Sequence, residues 1–304
     1  MGRAQSRFED LKKLTTRVPL MRRSDVRGSS NHIAGGSRRR LLTTIAAFLG
    51  LIAALVVGPP ANAEVATSKC SAYAVLITAR GVDASKGSNL RDGRVWLSGG
   101  HGDQLVPLVT KMRSDFGAGF PVWTESLAWT ASSGSDNFYE AQVNEGVRLL
   151  SDEIKSIIAC PRVPKILLAG HSGGADVVTR TLWNLAGTST AAFIDAAAVY
   201  GDPSTNQNQK WNAKGVSASN GFLKRTDART TAINNGYRFY GWNYDNLSST
   251  TSGYFPRVRA YCNVGDWACR SPYTGAWSDT AHNSYTGKTQ DVFNWYMYVT
   301  DNFN

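Results

Sequence analysis

Histidine and cysteine are both scarce in this chain of 304 residues, which contains four of each. None of the cysteines forms the C-x-x-C pair of a structural zinc site, and histidines are few, so the spacing of the cysteines is not that of a zinc site. The sequence after residue 63 also lacks internal repeats and low-complexity linkers, which excludes solenoids and arrays of small modules. We therefore expect one folded domain that uses neither a metal ion nor an organic cofactor.

The first 63 residues differ in composition from the rest of the chain. Residues 1–40 are rich in Arg and Lys, residues 41–57 are mostly apolar, and small residues with two prolines follow at 58–63. This order is typical of a signal peptide, cleaved here after Ala63. The arginines at 38–40 also resemble a twin-arginine export signal, with the general secretory route as the alternative. An uncleaved membrane anchor is a further alternative, because the apolar run approaches the shortest span of a bilayer.

Most of the positive charge belongs to this leader. Residues 1–63 contain 11 Lys and Arg against 3 Asp and Glu, so residues 64–304 retain 22 basic and 20 acidic side chains. That near balance excludes the strongly basic surface of a nucleic-acid-binding protein. All four cysteines follow residue 63, and an even number in an exported chain predicts two disulfides, with three pairings possible. We expect a secreted, extracellular monomer that meets a membrane only during export.

Short apolar runs alternate with helical patterns in residues 64–304. The clearest helical pattern lies at 142–159, where apolar residues recur at steps of four and three. Strands are predicted at 73–77, 165–169, 196–200 and 258–261, and helices at 105–116, 142–159, 175–185 and 291–300. Strands that alternate with helices imply a parallel sheet covered on both faces. The predicted fold class is α/β, a three-layer α/β/α sandwich with a central, mostly parallel sheet.

The sequence Gly-His-Ser-Gly-Gly at 170–174 is the strongest candidate for a catalytic motif. It fits the pattern G-x-S-x-G, follows a predicted strand and precedes a predicted helix, which is the context of a nucleophile elbow. In such an elbow the serine occupies a strained turn, the glycines allow close backbone contact, and amides at the start of the helix face the site. A glycine-rich turn that binds phosphate, or only packs, is the alternative. The flanking elements favour Ser172 as a nucleophile.

An activated serine needs a general base, and the scarcity of histidine restricts the choice. His32 lies in the leader, His171 is inside the elbow, and His101 precedes the nucleophile. In α/β-hydrolases the partners follow the serine in the order acid, then histidine, which leaves His282 as the candidate base. The alternative is that His282 is a surface or capping residue.

No glutamate follows Ser172, so the acid partner of His282 must be an aspartate. The aspartates between these two residues are Asp176, Asp195, Asp202, Asp227, Asp245, Asp266 and Asp279. Asp202 and Asp266 each follow a predicted strand, at the carboxyl edge where parallel sheets place their ligands. A disulfide across 262–269 would hold Asp266 rigidly, as an orienting acid requires, whereas Asp202 in Gly-Asp-Pro is typical of a turn. We favour Asp266 and keep Asp202 as the alternative.

Together these residues resemble the cutinase family of secreted serine esterases, in order from Cys70 to about Tyr285. The likeness consists of Cys70, Ala79-Arg80-Gly81, Cys160-Pro161, the elbow at 170–174, Gly201-Asp202-Pro203, the loop 262–269 with Gly265-Asp266, and His282-Asn283-Ser284-Tyr285. The resemblance implies a cutinase-like α/β-hydrolase domain over 64–304. It also implies disulfides Cys70–Cys160 and Cys262–Cys269 and a catalytic triad of Ser172, Asp266 and His282.

The resemblance further implies an oxyanion hole made by the backbone amides of Val82 and Gly173. Both residues depart from the family pattern, in which Gln is usual in place of Gly173 and Ser or Thr in place of Val82. His171 also stands where the family usually has Tyr. The amides survive these changes, but the hydroxyl that would steady the oxyanion is absent, which bears on substrate and efficiency more than on the type of reaction.

The function implied is a secreted carboxylic ester hydrolase that acts through an acyl-serine intermediate. The ester could belong to a cutin-like polyester, an acetylated polysaccharide, a triglyceride or a phospholipid. Two other functions remain open: a cell-envelope acyltransferase or thioesterase with the same triad, and a catalytically inactive relative that binds carbohydrate or lipid. Residues 203–261, which are rich in aromatics, form either a flap beside the site or an insertion that packs on itself.

Overall fold

Five parallel strands form the central sheet of this protein. The structure, a computed structural model, describes residues 66, 68–84, 90–91, 94–95, 100–116, 120–132, 136–246, 252–271 and 278–301, so the predicted leader at 1–63 lies outside the described residues. The strands of the sheet are β1 (Ala74–Ala79), β4 (Val122–Ser126), β5 (Lys165–His171), β6 (Ile194–Tyr200) and β9 (Val258–Tyr261). They lie side by side in the order β4–β1–β5–β6–β9.

The remaining described strands form two antiparallel pairs beside this sheet. The first pair is β2 (Leu90–Arg91) with β3 (Arg94–Val95), and the second is β7 (Arg238–Trp242) with β8 (Ser252–Pro256). The helices are α1 (Val106–Asp115), α2 (Asp136–Ile158), α3 (Gly173–Leu185), α4 (Asp227–Gly236), α5 (Asp279–His282) and α6 (Thr289–Asp301). Among the described residues, none of these helices is long and apolar enough to cross a membrane.

Helices cover both faces of the sheet because alternate strand residues point to opposite sides. Val75 and Ile77 of β1 belong to one buried apolar cluster, which includes side chains of α2 and α3. Leu76 of the same strand belongs to a second buried cluster, which includes side chains of α1 and α6. This arrangement is the three-layer α/β/α sandwich predicted from the sequence, and the predicted fold class is confirmed.

The structure contains all eight predicted elements and adds several that the sequence analysis missed. The largest difference in length is at α2, which begins at Asp136, six residues before its predicted start. Strand β4 was missed because its sequence, Val-Trp-Thr-Glu-Ser, buries three polar side chains and has no apolar alternation. Helix α4 and the hairpin β7–β8 were missed inside 203–261, where Asn, Ser and Gly suggested a long connection.

The register of the sheet places the carboxyl ends of four strands, and the turns that follow them, at one edge. Ala79 pairs with Gly170, His171 pairs with Tyr200, and Tyr200 pairs with Tyr261. These pairs lie at or next to the carboxyl ends of β1, β5, β6 and β9, so the residues that follow each strand meet at the same edge. Open parallel sheets bind their ligands at this edge.

Two disulfides cross-link the described residues. Cys70–Cys160 joins the short 3-10 helix before β1 (Lys69–Ser71) to the turn after α2. Cys262–Cys269 closes the loop that follows β9. This is the pairing that the family resemblance implies. Each bond reduces the conformational freedom of the unfolded chain, more so for the long loop between Cys70 and Cys160.

A buried carboxyl on the edge strand predicts how stability changes with pH. Glu125 of β4 is 2% exposed and accepts a hydrogen bond from Trp123. Burial, together with the negative charge of Glu153, raises the pKa of Glu125 to about 7. Lys69 pairs with Glu153 at 2.6 Å, and its positive charge lowers the pKa of Glu125 by less than burial and Glu153 raise it. Because the pKa of Glu125 is raised in the folded state, the fold favours the protonated carboxyl. The contribution of this preference to stability is complete below the ordinary pKa of a glutamate and is lost as pH rises through about 7.

We expect Glu125→Gln to remove this dependence, since glutamine keeps the shape and never ionises. Between pH 5 and pH 8 the wild type should lose about 2 kcal/mol more stability than the variant. Chemical unfolding at pH 5, 6, 7 and 8 measures the difference. Parallel pH profiles of the two proteins would show that Glu125 does not titrate in this range.

Candidate active site

Ser172 lies in a strained turn between β5 and α3. Its backbone has φ 54° and ψ −125°, a positive φ that it shares with Asp83 alone among the described non-glycine residues. Its amide donates to Tyr200 O at 2.9 Å, and its carbonyl accepts from Ala175 N and Asp176 N. Such strain is usually retained where it positions a functional group. The turn therefore presents Ser172 Oγ at the carboxyl edge, with the first amides of α3 beside it.

The glycines of the elbow allow three backbone segments to pack closely. A Cβ atom on Gly170 would lie 2.5 Å from Gly174 O, and one on Gly174 would lie 2.0 Å from Ala79 O. Both clashes involve backbone atoms, which cannot rotate away as a side chain can. The first and last glycines of G-x-S-x-G, Gly170 and Gly174, are thus required for α3 to start directly against β1 and β5.

His282 connects the nucleophile candidate to a buried acid. His282 Nε2 lies 2.8 Å from Ser172 Oγ, and His282 Nδ1 lies 2.8 Å from Asp266 Oδ1. Asp266 is fully buried and His282 is 6% exposed. Three residues that lie up to 110 positions apart in sequence are therefore joined by hydrogen bonds in the order serine, histidine, aspartate.

Three hydrogen bonds keep Asp266 ionised despite its burial. Burial alone would raise the pKa of Asp266, but hydrogen bonds from His282, the Tyr285 hydroxyl and Ala268 N outweigh it and hold the pKa below its ordinary value. An ionised Asp266 accepts a hydrogen bond from His282 Nδ1–H. His282 Nε2 is then the unprotonated nitrogen that can accept from Ser172 Oγ–H.

His171 forms a hydrogen bond with the backbone of His282, a contact that the sequence analysis did not anticipate. His171 Nε2 lies 2.8 Å from His282 O, and the two rings are 5.0 Å apart. Burial is the main cause that lowers the pKa of His171 to about 4, so the ring is neutral and Nε2–H donates to the carbonyl. The one available signal was the departure from the family's usual Tyr at this position.

The pKa of His171 predicts a loss of stability in mild acid. A histidine with a lowered folded-state pKa stabilises the fold above the unfolded value of 6.5, and this contribution is lost as pH falls towards about 4. His171→Gln retains an N–H donor without a titratable ring, so we expect it to lose roughly 2 kcal/mol less than wild type between pH 6.5 and 4.5. Thermal or urea unfolding at both pH values measures this, and equal losses would contradict the assignment.

Val82 and Gly173 face each other across the site. A Cβ atom on Gly173 would lie 2.8 Å from Val82 Cγ2 and 3.2 Å from Trp129 Cη2. The side chain of Val82 therefore occupies the space that a residue larger than glycine would need at position 173. The two departures from the family pattern are thus coupled by packing. As the first residue of α3, Gly173 has an amide without an acceptor inside the helix, as an oxyanion donor requires.

Arg80 supports the turn that carries Val82. Its side chain is fully buried, and Nη1 donates to Ala131 O at 3.1 Å and to Ala84 O at 3.4 Å. The amide of Asp83 also donates to Ala131 O, at 2.9 Å. Together these bonds tie the turn after β1 to the chain that follows β4.

Asp202, the alternative acid, does not contact His282. Its Oδ1 accepts from the amide and the hydroxyl of Ser204, each at 2.8 Å, and its Oδ2 accepts from Arg225 at 2.8 Å. It caps a turn, as the sequence suggested, and also forms a buried ion pair. The other aspartates contact Arg180, Ile166 N, Asn206, Arg259 and Trp267. His101 lies 2.7 Å from the Thr78 hydroxyl.

The aromatic segment 203–261 contains a hairpin and, separately, Phe222 near the site. Its hairpin β7–β8 leads into the amino end of β9, opposite the carboxyl edge, and Phe239 packs on Tyr298 of α6. Phe222 instead approaches the site, because its ring lies 5.4 Å from Trp267, which is 5.0 Å from the His282 ring. Phe222 thus brings one aromatic side chain of this segment towards the site, and the flap at 203–261 stays a prediction.

Comparisons with known proteins agree with this fold. The family model Cutinase matches residues 69–299. An acetylxylan esterase structure at 0.90 Å resolution is 16% identical, with a TM-score of 0.53 over 75% of this chain and 99% of the other. A cutinase-like protein from Cryptococcus sp. is 15% identical, with a TM-score of 0.52 over 78% and 97%. A search of curated proteins found no match. The two structures share the fold, and because the family model covers most of the sequence, the chain belongs to the cutinase family.

Proposed function

We propose that the protein is a secreted serine carboxylesterase that hydrolyses esters through an acyl-serine intermediate. Membership of the cutinase family supports an ester hydrolase of the α/β-hydrolase fold. The observation that carries the finer proposal is the pair of 2.8 Å hydrogen bonds that joins Ser172, His282 and Asp266. A serine, an imidazole and an ionised carboxylate in this order make the serine oxygen nucleophilic at neutral pH.

In the first half of the reaction Ser172 Oγ attacks the ester carbonyl carbon. His282 Nε2 accepts the serine proton as the new C–O bond forms, and Asp266 stabilises the resulting imidazolium. The amides of Gly173 and Val82 would donate to the carbonyl oxygen as it becomes an oxyanion. The intermediate then expels the alcohol, which takes the proton from His282, and the acyl group remains on Ser172.

In the second half a water molecule replaces the alcohol. His282 Nε2 accepts a proton from the water as its oxygen attacks the acyl carbon, and the same amides stabilise the second oxyanion. Collapse of this intermediate breaks the bond to Ser172 Oγ, which regains its proton from His282. The carboxylic acid product leaves and the starting state returns.

Apolar side chains at the rim support an ester with an apolar part. Trp267 packs on His282, Phe222 is 46% exposed beside it, and Val264 of the same loop is 76% exposed. Exposed apolar groups beside a reactive serine favour a polyester, an acetylated polysaccharide or a lipid over a highly charged ester. The two disulfides fit an oxidising compartment, in agreement with export directed by the leader at 1–63.

Two measurements on the purified protein test the proposal. The first is hydrolysis of p-nitrophenyl esters from acetate to palmitate, whose profile separates an acetyl esterase from a cutinase or lipase. The second is labelling with a fluorophosphonate, followed by peptide mapping, which should place the adduct on Ser172. Acyl transfer to a sugar acceptor in preference to water would favour the transferase. A folded protein that neither turns over an ester nor takes the label would be an inactive binding relative.

A further inference from the structure

A row of three rings leads from the candidate base to the surface of the protein. The Trp267 ring lies 5.0 Å from the His282 ring, and the Phe222 ring lies 5.4 Å from the Trp267 ring. His171 and Gly201 also adjoin the imidazole, and both are buried. Trp267 is partly exposed and Phe222 is 46% exposed. Of these neighbours of His282, a bound substrate can therefore reach only Trp267, with Phe222 beyond it.

Hydrogen bonds and close packing fix both aromatic side chains in place. The amide of Phe222 donates to Ala268 O at 3.1 Å, and Trp267 Nε1 donates to Asp279 Oδ1 at 3.2 Å. A Cβ atom on Gly221 would overlap a backbone oxygen of the turn after β6, so the chain just before Phe222 packs tightly on that turn. The two rings thus form a fixed wall at the carboxyl edge of the sheet.

The chemistry of ester cleavage determines which part of the substrate meets this wall. The carbonyl oxygen must face the amides of Gly173 and Val82, which stabilise it as an oxyanion. The alcohol oxygen must face His282 Nε2, because it takes its proton from that atom as the C–O bond breaks. The alcohol part therefore lies on the side of His282, where Trp267 is the exposed neighbour, and the acyl chain takes a different direction.

We propose that Trp267 and Phe222 form the subsite for the alcohol part of the ester and that they select alcohols with an apolar ring. This inference rests on the esterase function proposed above and names the part of the substrate that these side chains contact. Two fixed, partly exposed aromatic rings pack well on a flat apolar ring, and the ring–ring contact adds to the free energy of apolar burial. An ethyl group is too small to cover both of them.

Hydrolysis of acetate esters of three alcohols tests this subsite. Ethyl, cyclohexylmethyl and benzyl acetate share their acyl group and release primary alcohols, so differences in kcat/KM report the contact with the alcohol. We expect both ring esters to exceed ethyl acetate by about tenfold or more, measured as acetic acid released in a pH-stat. Phe222→Ala should lower the ratio of benzyl to ethyl acetate by about fivefold, whereas Phe222→Tyr, which keeps the ring, should retain it.

Esters that share their alcohol separate this subsite from one for the acyl chain. The ratio of kcat/KM for ethyl butyrate to that for ethyl acetate should stay within about twofold of wild type in Phe222→Ala, because the acyl chain does not contact Phe222. A change in this ratio without a change in the benzyl-to-ethyl ratio would place the acyl chain on the wall and overturn the assignment.

A matched control comes from the opposite edge of the sheet. Phe193 is 39% exposed and ends the 3-10 helix that precedes β6, at the amino end of that strand. Phe193→Ala should leave both ratios unchanged. If the wild type hydrolyses all three acetates and Phe222→Ala has the same benzyl-to-ethyl ratio, the alcohol subsite is overturned and the esterase function stands. A wild type that hydrolyses none of these esters would overturn the esterase function, and the subsite with it.

Discussion

Replacement of Ser172 by alanine should lower kcat/KM for p-nitrophenyl acetate by at least about ten-thousandfold. The substitution removes the oxygen that lies 2.8 Å from His282 Nε2, so no acyl-enzyme can form. The expected loss of transition-state stabilisation is about 5.5 kcal/mol or more. The backbone strain at Ser172 does not depend on the hydroxyl, so the fold and its melting temperature should persist.

Two comparisons make this result specific. Ser284→Ala removes an exposed hydroxyl in the loop after His282, one that donates only to Ala281 O and accepts from Asn263, and should change kcat/KM by less than about twofold. The double variant Ser172→Ala/His282→Ala should lose no more than Ser172→Ala alone, because residues that act as one unit are not additive. Retention of a tenth of the wild-type rate by Ser172→Ala would reject Ser172 as the nucleophile.

Replacement of Gly174 by alanine should prevent stable folding. The added methyl group would lie 2.0 Å from Ala79 O and 2.5 Å from Arg80 O, so α3 would have to move away from β1. Both obstacles are backbone oxygens, one at the end of β1 and one in the turn that follows it. We expect a loss of more than about 4 kcal/mol, seen as insoluble protein or as a melting temperature lowered by about 10 °C or more.

The control for this variant is Gly287→Ala, since a Cβ atom there would meet nothing within 4 Å. Its stability should remain within about 0.5 kcal/mol of wild type. Differential scanning calorimetry of both variants measures the contrast. A Gly174→Ala protein that melts within about 2 °C of wild type would mean that the elbow is not packed as the structure describes, and the position of Ser172 would be wrong with it.

Several features could be read from the sequence because they depend on neighbouring residues. The alternation of apolar runs with helical patterns is local, and it predicted the parallel sheet and most of its helices. The elbow at 170–174 is also local, because one strand, one tight turn and one helix follow directly along the chain. The scarcity of histidine left His282 as the candidate base by elimination. Four cysteines in a chain expected to be exported predicted two disulfides, although three pairings were possible.

The arrangement of residues that are distant in sequence was decided by the tertiary structure. Asp202 and Asp266 both follow strands at the same edge, and packing alone determines that Asp266 faces His282 while Asp202 pairs with Arg225. The support of His282 by His171 involves residues 111 positions apart, which no local pattern records.

The same reason explains the elements that the sequence analysis missed. Strand β4 buries polar side chains whose partners come from β1 and from other parts of the fold, so its composition does not indicate burial. The hairpin β7–β8 has one aromatic face on α6 and another in solvent, and both faces have similar residues. Periodicity records which residues avoid water, whereas hydrogen bonds, charges and close contacts between distant segments exist only once those segments have packed.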